Sequence, residues 1–378
     1  MSVWTDIKFR LECATCLVRG LFLSKNVLIL NSVVMRSACR TYFSLLLISF
    51  LCLAMISCHS GAKTSNSVGH KQVANCDTII HLEDNLQVFD ISVDDSLLVL
   101  LTGGNPMLYA VDLHRNVVCK KFGYIGRASN EYYMRPHQFN IRNHIIQFLD
   151  RSRKTMCYIS LPGFKQSERP VPYTSEFRPS RAVDVEGNII AVGSFSDTRL
   201  GHVDPEGKIC QTDFSYPFDT GDVEGIYRGS VFQSDVRIPQ TRASAFVYAL
   251  SSDSYEIYDV DDAHLERVYS SPVENAPKLY KMGSRTGIDH NKSKAGIMQT
   301  SVTDKGIFLI SSDETYNEAA KNGFIGDLVK EYDWNGSFVT DCRLPFPVSA
   351  FCVAENVLYA VSEDIGGTVI VRVPLSSK

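Results

Sequence analysis

Apolar residues along this chain fall in short runs separated by Asp, Asn and Gly, not at helical spacing. After residue 70 no stretch keeps a 3.6-residue apolar period for three turns, so the body reads as strands and turns. Residues 179–214 show the unit. Pro179 to Val185 is followed by the turn Glu186-Gly187-Asn188, then Ile189 to Phe195, Leu200 to Asp204, the turn Pro205 to Lys208, and Ile209 to Phe214. Four strands with tight turns make an antiparallel meander. The same cassette fits 88–123, 137–171, 234–271 and 296–344, and a last, three-strand version fits 348–375.

The link between third and fourth strands repeats most clearly, as Val111-Asp112, Val203-Asp204, Tyr258-Asp259 and Tyr332-Asp333, with Ser160 and Pro374 at the matching places. An Asp at a turn start bonds its own backbone two residues on, and a following Gly supplies positive φ. The spacings are 48, 44, 55, 74 and 41 residues. A four-strand period of roughly 40 to 50 residues signals a β-propeller. The long interval contains the polar segment 313–326, read as a surface loop or short helix. The sixth unit lacks a fourth strand, and Asp77 to Leu82, before the first unit, has no other partner. The expected fold is therefore all-β, a six-bladed β-propeller of four-stranded antiparallel blades, with the ring closed by an N-terminal strand. An all-β sandwich leaves the sixfold turn unexplained.

The N-terminal region follows a different pattern. Tyr42 to Ser57 is the long apolar run, and Arg36 and Arg40 precede it without acidic neighbours. That order reads as a secretory signal. The run ends Ser57-Cys58, a small residue before Cys, which resembles a bacterial lipobox and marks Cys58 for lipidation. Ordinary signal cleavage and a single membrane-spanning anchor are the alternatives. Met35 opens a normal signal n-region, so residues 1–34 read as an upstream mis-start, 35–57 as the signal peptide, 58–75 as a flexible linker and 76–378 as the propeller. The Cys13-x-x-Cys16 pair falls in the first of these and has no supporting metal or redox context.

Composition narrows the partners. The 378 residues hold 38 Lys+Arg and 42 Asp+Glu, a formal charge of −4, with 44% apolar and 21% charged residues. Such a balance excludes a disordered chain and a polytopic membrane protein, and offers no basic face for nucleic acid. The six cysteines after Cys58 map to strands of mostly different blades, too far apart to bridge, so they are expected to be unpaired and buried.

With the lipobox, the six units and the turn Tyr332-Asp333-Trp334-Asn335-Gly336, the chain resembles the TolB-like six-bladed propeller lipoproteins of Bacteroidetes over about residues 76–375. A second cue is Phe122 to Tyr132, which is similar to that family's Gly-x-Gly-Pro-Asn-Glu-Phe/Tyr loop, with Ala128-Ser129 in place of Gly-Pro. The resemblance implies fold and envelope location, and no particular activity.

Catalytic signatures are weak. Asp259-Val260-Asp261-Asp262 begins like a calcium loop, but Ala263, His264 and Ser270 stand at positions five, six and twelve, so it reads as a solvated turn. No nucleophile elbow or His-Glu-x-x-His is present, and no Ser-x-x-Lys comes with supporting motifs. The polar residues of the inner strands, Asp90, His137, Asn140, Arg181, Asp235, Arg237, Gln299 and Thr300, are the channel candidates. Arg127, Asn130, Glu131 and Tyr132 in the loop after blade one mix charge with aromatics, as recognition surfaces do, though a packed connection between blades fits equally. The functional expectation is a non-catalytic, lipid-anchored envelope module on the periplasmic side of the outer membrane. It would need no cofactor and would bind a protein, peptide or glycan. The alternative is a metal-dependent hydrolase or lyase in the channel, to be marked by three or four inward carboxylate or amide groups.

Overall fold

The computed structural model describes residues 71–378, save 73–75, 83–85, 129, 196–197, 212–214, 217–222, 224–225, 262–263, 284, 365–366 and 376–378. Cys58, the expected signal segment 35–57 and most of the expected linker lie outside these residues. Among the described residues no helix is long and apolar enough to cross a membrane.

Two strands precede the first blade, β1 (Lys71–Gln72) and β2 (Asp77–His81). Blade I holds β3 (Val88–Asp94), β4 (Leu97–Thr102), β5 (Leu108–Asp112) and β6 (Val117–Phe122). Blade II holds β7 (Asn140–Arg142), β8 (Ile145–Asp150), β9 (Thr155–Ser160) and β10 (Gln166–Pro170). Blade III holds β11 (Phe177–Val185), β12 (Asn188–Phe195), β13 (Leu200–Val203) and β14 (Ile209–Gln211). After the short helix α1 (Ile226–Val231), blade IV holds β15 (Ser234–Arg237), β16 (Ser244–Ala249), β17 (Tyr255–Asp261) and β18 (His264–Ser270). A separate hairpin, β19 (Leu279–Met282) with β20 (Arg285–Ile288), comes before blade V. Blade V holds β21 (Lys294–Val302), β22 (Ile307–Thr315), β23 (Gly326–Tyr332) and β24 (Phe338–Val348), and β1 lies parallel to β24 at its outer edge. The polar segment inside blade V carries helix α2 (Tyr316–Lys321), closed at its start by a Thr315–Glu318 capping box.

Ring closure follows the expected route. Blade VI is β25 (Ala350–Ala354), β26 (Val357–Asp364) and β27 (Gly367–Pro374), and β2 pairs antiparallel with β27 as its outermost strand. First and last segments of the domain thus share one sheet, and six blades meet without an open seam.

Burial explains the sequence pattern. Middle strands such as β4, Leu-Leu-Val-Leu-Leu-Thr, are covered on both faces by neighbouring blades and are apolar almost throughout. Outer strands such as β10, Gln-Ser-Glu-Arg-Pro, are largely exposed and polar. Between each pair of adjacent blades lies one apolar cluster, so the core is divided into six interblade layers. Ile79 and Ile80 of β2 pack on the layer between blades VI and I, beside Leu98, Leu100 and Ile370.

The repeated Asp works as its turn chemistry requires. Asp112 Oδ1 accepts from the His114 and Arg115 amides, and Asp333 Oδ1 from those of Asn335 and Ser337, with Gly336 at φ +80°. At Asp259 the strand instead continues to Asp261, and Asp259 Oδ1 accepts from Ser244 Oγ. The cysteines correct one expectation. No disulfide joins them, but only Cys157, Cys342 and Cys352 are buried. Cys76 and Cys119 are exposed, Cys119 because it lies on an outermost strand with solvent on one face.

Candidate functional site

Inner-strand residues project into the axis by the two-residue alternation of a strand. Asp235 and Arg237, two apart on β15, therefore share the channel side. Each meets an opposite charge from another blade. Arg237 reaches from blade IV to Asp90 of blade I, with Nη1 donating to Oδ2 at 2.8 Å and Nη2 to Oδ1 at 3.0 Å. Nη1 also donates to the Phe139 carbonyl of blade II at 2.9 Å, and the Phe139 amide donates to Asp90 Oδ2 at 3.0 Å. Burial alone would lower the Arg237 pKa. The Asp90 carboxylate and the Tyr248 hydroxyl group together outweigh it and raise the pKa, so the guanidinium stays charged. Arg181 of blade III lies against Asp235, whose second oxygen accepts from Tyr248 Oη at 2.9 Å. Both channel carboxylates thus face an arginine.

The polar amides are drawn into the same cross-bracing. Gln138 Nε2 donates to the Val236 carbonyl, and Gln299 Nε2 to those of Phe324 and Val348. Past the end of β15, residues 238–243 cross the axis as a strap. Gln240 donates to Val93 of blade I, Arg142 of blade II donates to the Pro239 and Arg242 carbonyls, and Asp304 of blade V accepts from Thr241 and Arg242. Burial would raise the Asp304 pKa, but these hydrogen bonds hold it below the usual carboxylate range. Beside the strap is a cavity of about 440 Å³, lined by Asn140, Arg237, Gln240, Thr300, Cys352 and Tyr359 among others. It opens on the face of the inner-to-second-strand turns.

His137 is at the other end of the axis. Its Nε2 is 3.4 Å from Arg151 Nη1. Partial desolvation, then the nearby guanidiniums of Arg181 and Arg151, lower its pKa to about 4, so the ring is neutral at pH 7. Among the described residues one trio of Asp, Glu, His or Cys is close enough to share a cation: Asp94, Asp95 and His144. It sits on the inner-to-second-strand turns, with Asp94 buried and Asp95 on the lining of the cavity beside the strap. His144 Nδ1 lies 3.0 Å from Asp94 and 3.6 Å from Asp95, and the hydrogen bond to Asp94, then the charges of both carboxylates, raise the His144 pKa.

The loop after blade I divides into an anchor and an exposed rim. Tyr132 is buried between blades I and II, edge-on to Phe148 with ring centroids 5.0 Å apart. Glu131 folds back, and its Oε2 accepts from the Ala128 amide at 2.8 Å. A Cβ at Gly126 would stand 1.9 Å from that oxygen, so glycine makes room for the carboxylate. Arg127 and Asn130 face solvent. Within the motif, then, Gly126, Glu131 and Tyr132 build the connection and Arg127 and Asn130 are presented.

The model of the TolB-like 6-blade propeller-like family matches residues 77–356. The chain belongs to that family. Solved structures of low identity align with it at TM-scores below 0.5. A Bacteroides fragilis protein described as exported is 13% identical, with TM-score 0.48, covering 81% of this chain and 99% of its own. A DUF4221-family protein of Bacteroides vulgatus is 10% identical, with TM-score 0.47, covering 80% and 96%. A streptogramin B lyase is 11% identical, with TM-score 0.44, covering 80% and 88%. No match is found among curated proteins. In this TolB-like propeller, sequence reasoning found the channel residues and the loop. It missed the 238–243 strap, whose Pro239, Gln240 and Thr241 carry no catalytic or binding signature.

Proposed function

We propose that this TolB-like propeller is an envelope lipoprotein, held by acyl chains on Cys58 and facing the periplasm. It acts as a non-catalytic module that binds a protein, peptide or glycan on the face carrying the 124–137 loop. The observation that supports this reading is the cross-braced axis. Asp90 pairs with Arg237 across the channel and Arg181 with Asp235 between adjacent blades, so these polar groups serve the scaffold. The loop face instead presents unburied side chains on a rigid base, the usual arrangement for recognition.

Two experiments test it. Labelled palmitate should enter the wild-type chain and fractionate with the outer membrane, and Cys58→Ala should abolish both; an unlabelled wild type refutes the anchor. A photo-crosslinking residue placed at Tyr124 in cells should give discrete adducts, while the same residue at Val268, exposed on an outer strand, should not. Equal adducts at both positions, or none, refute a binding face on the loops.

A further inference from the structure

An unexplained surface feature lies on that loop face, over blades I and II. Phe89, Tyr124, Tyr133 and Met134 are 42%, 50%, 54% and 42% exposed, and among the large apolar side chains described only Met282 is more exposed than Tyr133 and Tyr124. They form one patch. Tyr124 and Tyr132 pair through their backbones, which sets Tyr133 beside them, and Met134 Sδ contacts Ser152 Oγ. Arginines frame the patch. Arg135 stacks over Phe89 at 5.6 Å and donates to the Gly103 and Gly104 carbonyls, and Arg153 stacks over Tyr133 at 5.7 Å. Arg127 points to solvent, and Arg151 stands at the channel mouth beside neutral His137. The loop's own carboxylate, Glu131, is tied to the Ala128 amide. A chain with more acids than bases thus gathers arginine, tyrosine, phenylalanine and methionine in one place, the composition that interface centres favour.

We propose that this patch docks an acidic polypeptide segment, whose carboxylates meet Arg127 and Arg151 and whose apolar side chains lie on Tyr124, Tyr133 and Met134. The inference rests on the binding-module reading and names its partner class. Charge complementarity selects an acidic partner. A polypeptide suits it better than an anionic glycan. Sugars stack on open aromatic faces, and guanidiniums already cover one face of Phe89 and of Tyr133. The free edges and the Met134 thioether instead suit aliphatic and aromatic side chains.

The test uses the full-length chain in nonionic detergent and a fluorescein-labelled twelve-residue peptide repeating Glu-Glu-Tyr, read by anisotropy. Binding is expected, weakening about tenfold between 50 and 300 mM salt. Arg127→Glu and Tyr124→Ala should each weaken it about fivefold without moving the melting temperature. Arg115→Glu, the same charge change in an exposed turn on the opposite face, should leave it unchanged. Absence of peptide binding, equal loss with Arg115→Glu, or no loss with the two patch variants overturns the proposal. So does tighter binding of polygalacturonate than of the peptide, which would give the patch to an anionic glycan. Face-specific cross-links at Tyr124 without peptide affinity would overturn the acidic partner alone and leave the binding-module reading standing.

Discussion

The Asp90–Arg237 pair joins residues 147 apart in sequence and two blades that are not neighbours, so its removal should be felt by the whole ring. Asp90 is 5% exposed and accepts four hydrogen bonds, two from Arg237 and one each from the Ile91 and Phe139 amides. In Asp90→Ala the guanidinium is left buried without its countercharge and the Phe139 amide loses its acceptor. Breaking one side of a buried ion pair costs about 3–5 kcal/mol, and an orphaned amide adds about 1–3 kcal/mol. Arg237→Met strands the carboxylate, though two amides still bond it, so its cost should be nearer 3 kcal/mol. The double variant Asp90→Ala, Arg237→Met removes both charges and leaves the Phe139 amide and carbonyl unpaired. It should cost only about 2 kcal/mol, because apolar replacement of a buried pair is often close to neutral. The double variant should therefore be more stable than Asp90→Ala alone, with a coupling free energy above about 2 kcal/mol. Urea unfolding of the four proteins, followed by circular dichroism, measures this cycle. Single costs below about 1 kcal/mol that simply add would refute the pair as a brace across the axis.

Deleting residues 76–83 removes β2, with half-buried Ile79 and Ile80 and buried Leu82; the lost apolar burial predicts about 4 kcal/mol and a lower melting temperature for the whole domain, and an unchanged melt would refute the closure. Glu256 is fully buried between blades III and IV and accepts from Arg199, Tyr258 and Arg267, so Glu256→Ala should cost about 3–5 kcal/mol in urea unfolding, where a loss under 1 kcal/mol would contradict the network. His137 is neutral when folded down to about pH 4 and charged in the unfolded chain below 6.5, so its share of stability is lost as pH falls through that window; His137→Gln should narrow the gap between melting temperatures at pH 7 and pH 5. His144 has the opposite sign, since its raised pKa gives stability that is present below 6.5 and lost at higher pH, and His144→Gln should not narrow that gap.

Much of the fold was legible because a propeller repeats one local rule. Each blade has a doubly buried middle and a polar outer strand, so β4, β8, β16 and β22 stand out as apolar runs and β6 and β10 as polar ones. Asx turns at Asp112, Asp204 and Asp333 punctuate that rule within a few residues, which is why period and register could be read directly. What escaped was irregular. The hairpin 279–288 and helix α1 belong to no repeat, and Asp259 has a strand neighbour, Ser244, that displaced the expected turn.

The candidate site was legible by residue type and hidden in its pairing, and the difference has one physical cause. Strand alternation tells which side chains enter the axis, since it depends on neighbours two residues apart. Which of them meet depends on the diameter of a ring that no local pattern encodes. Asp235 and Arg237 sit two residues apart on β15, yet each finds its countercharge on a different blade, Arg181 on β11 and Asp90 on β3. The loop shows the same division at smaller scale. Tyr132 stands out because its packing role is strict, with Glu131 tied back beside Gly126, while Arg127 and Tyr124 are free to face a partner. In such a scaffold the residues with the strongest local signature build the platform, and recognition falls to the side chains beside them. Exchanging Tyr124 or Arg127 should therefore alter binding without altering the melt, and exchanging Tyr132 should alter the melt first.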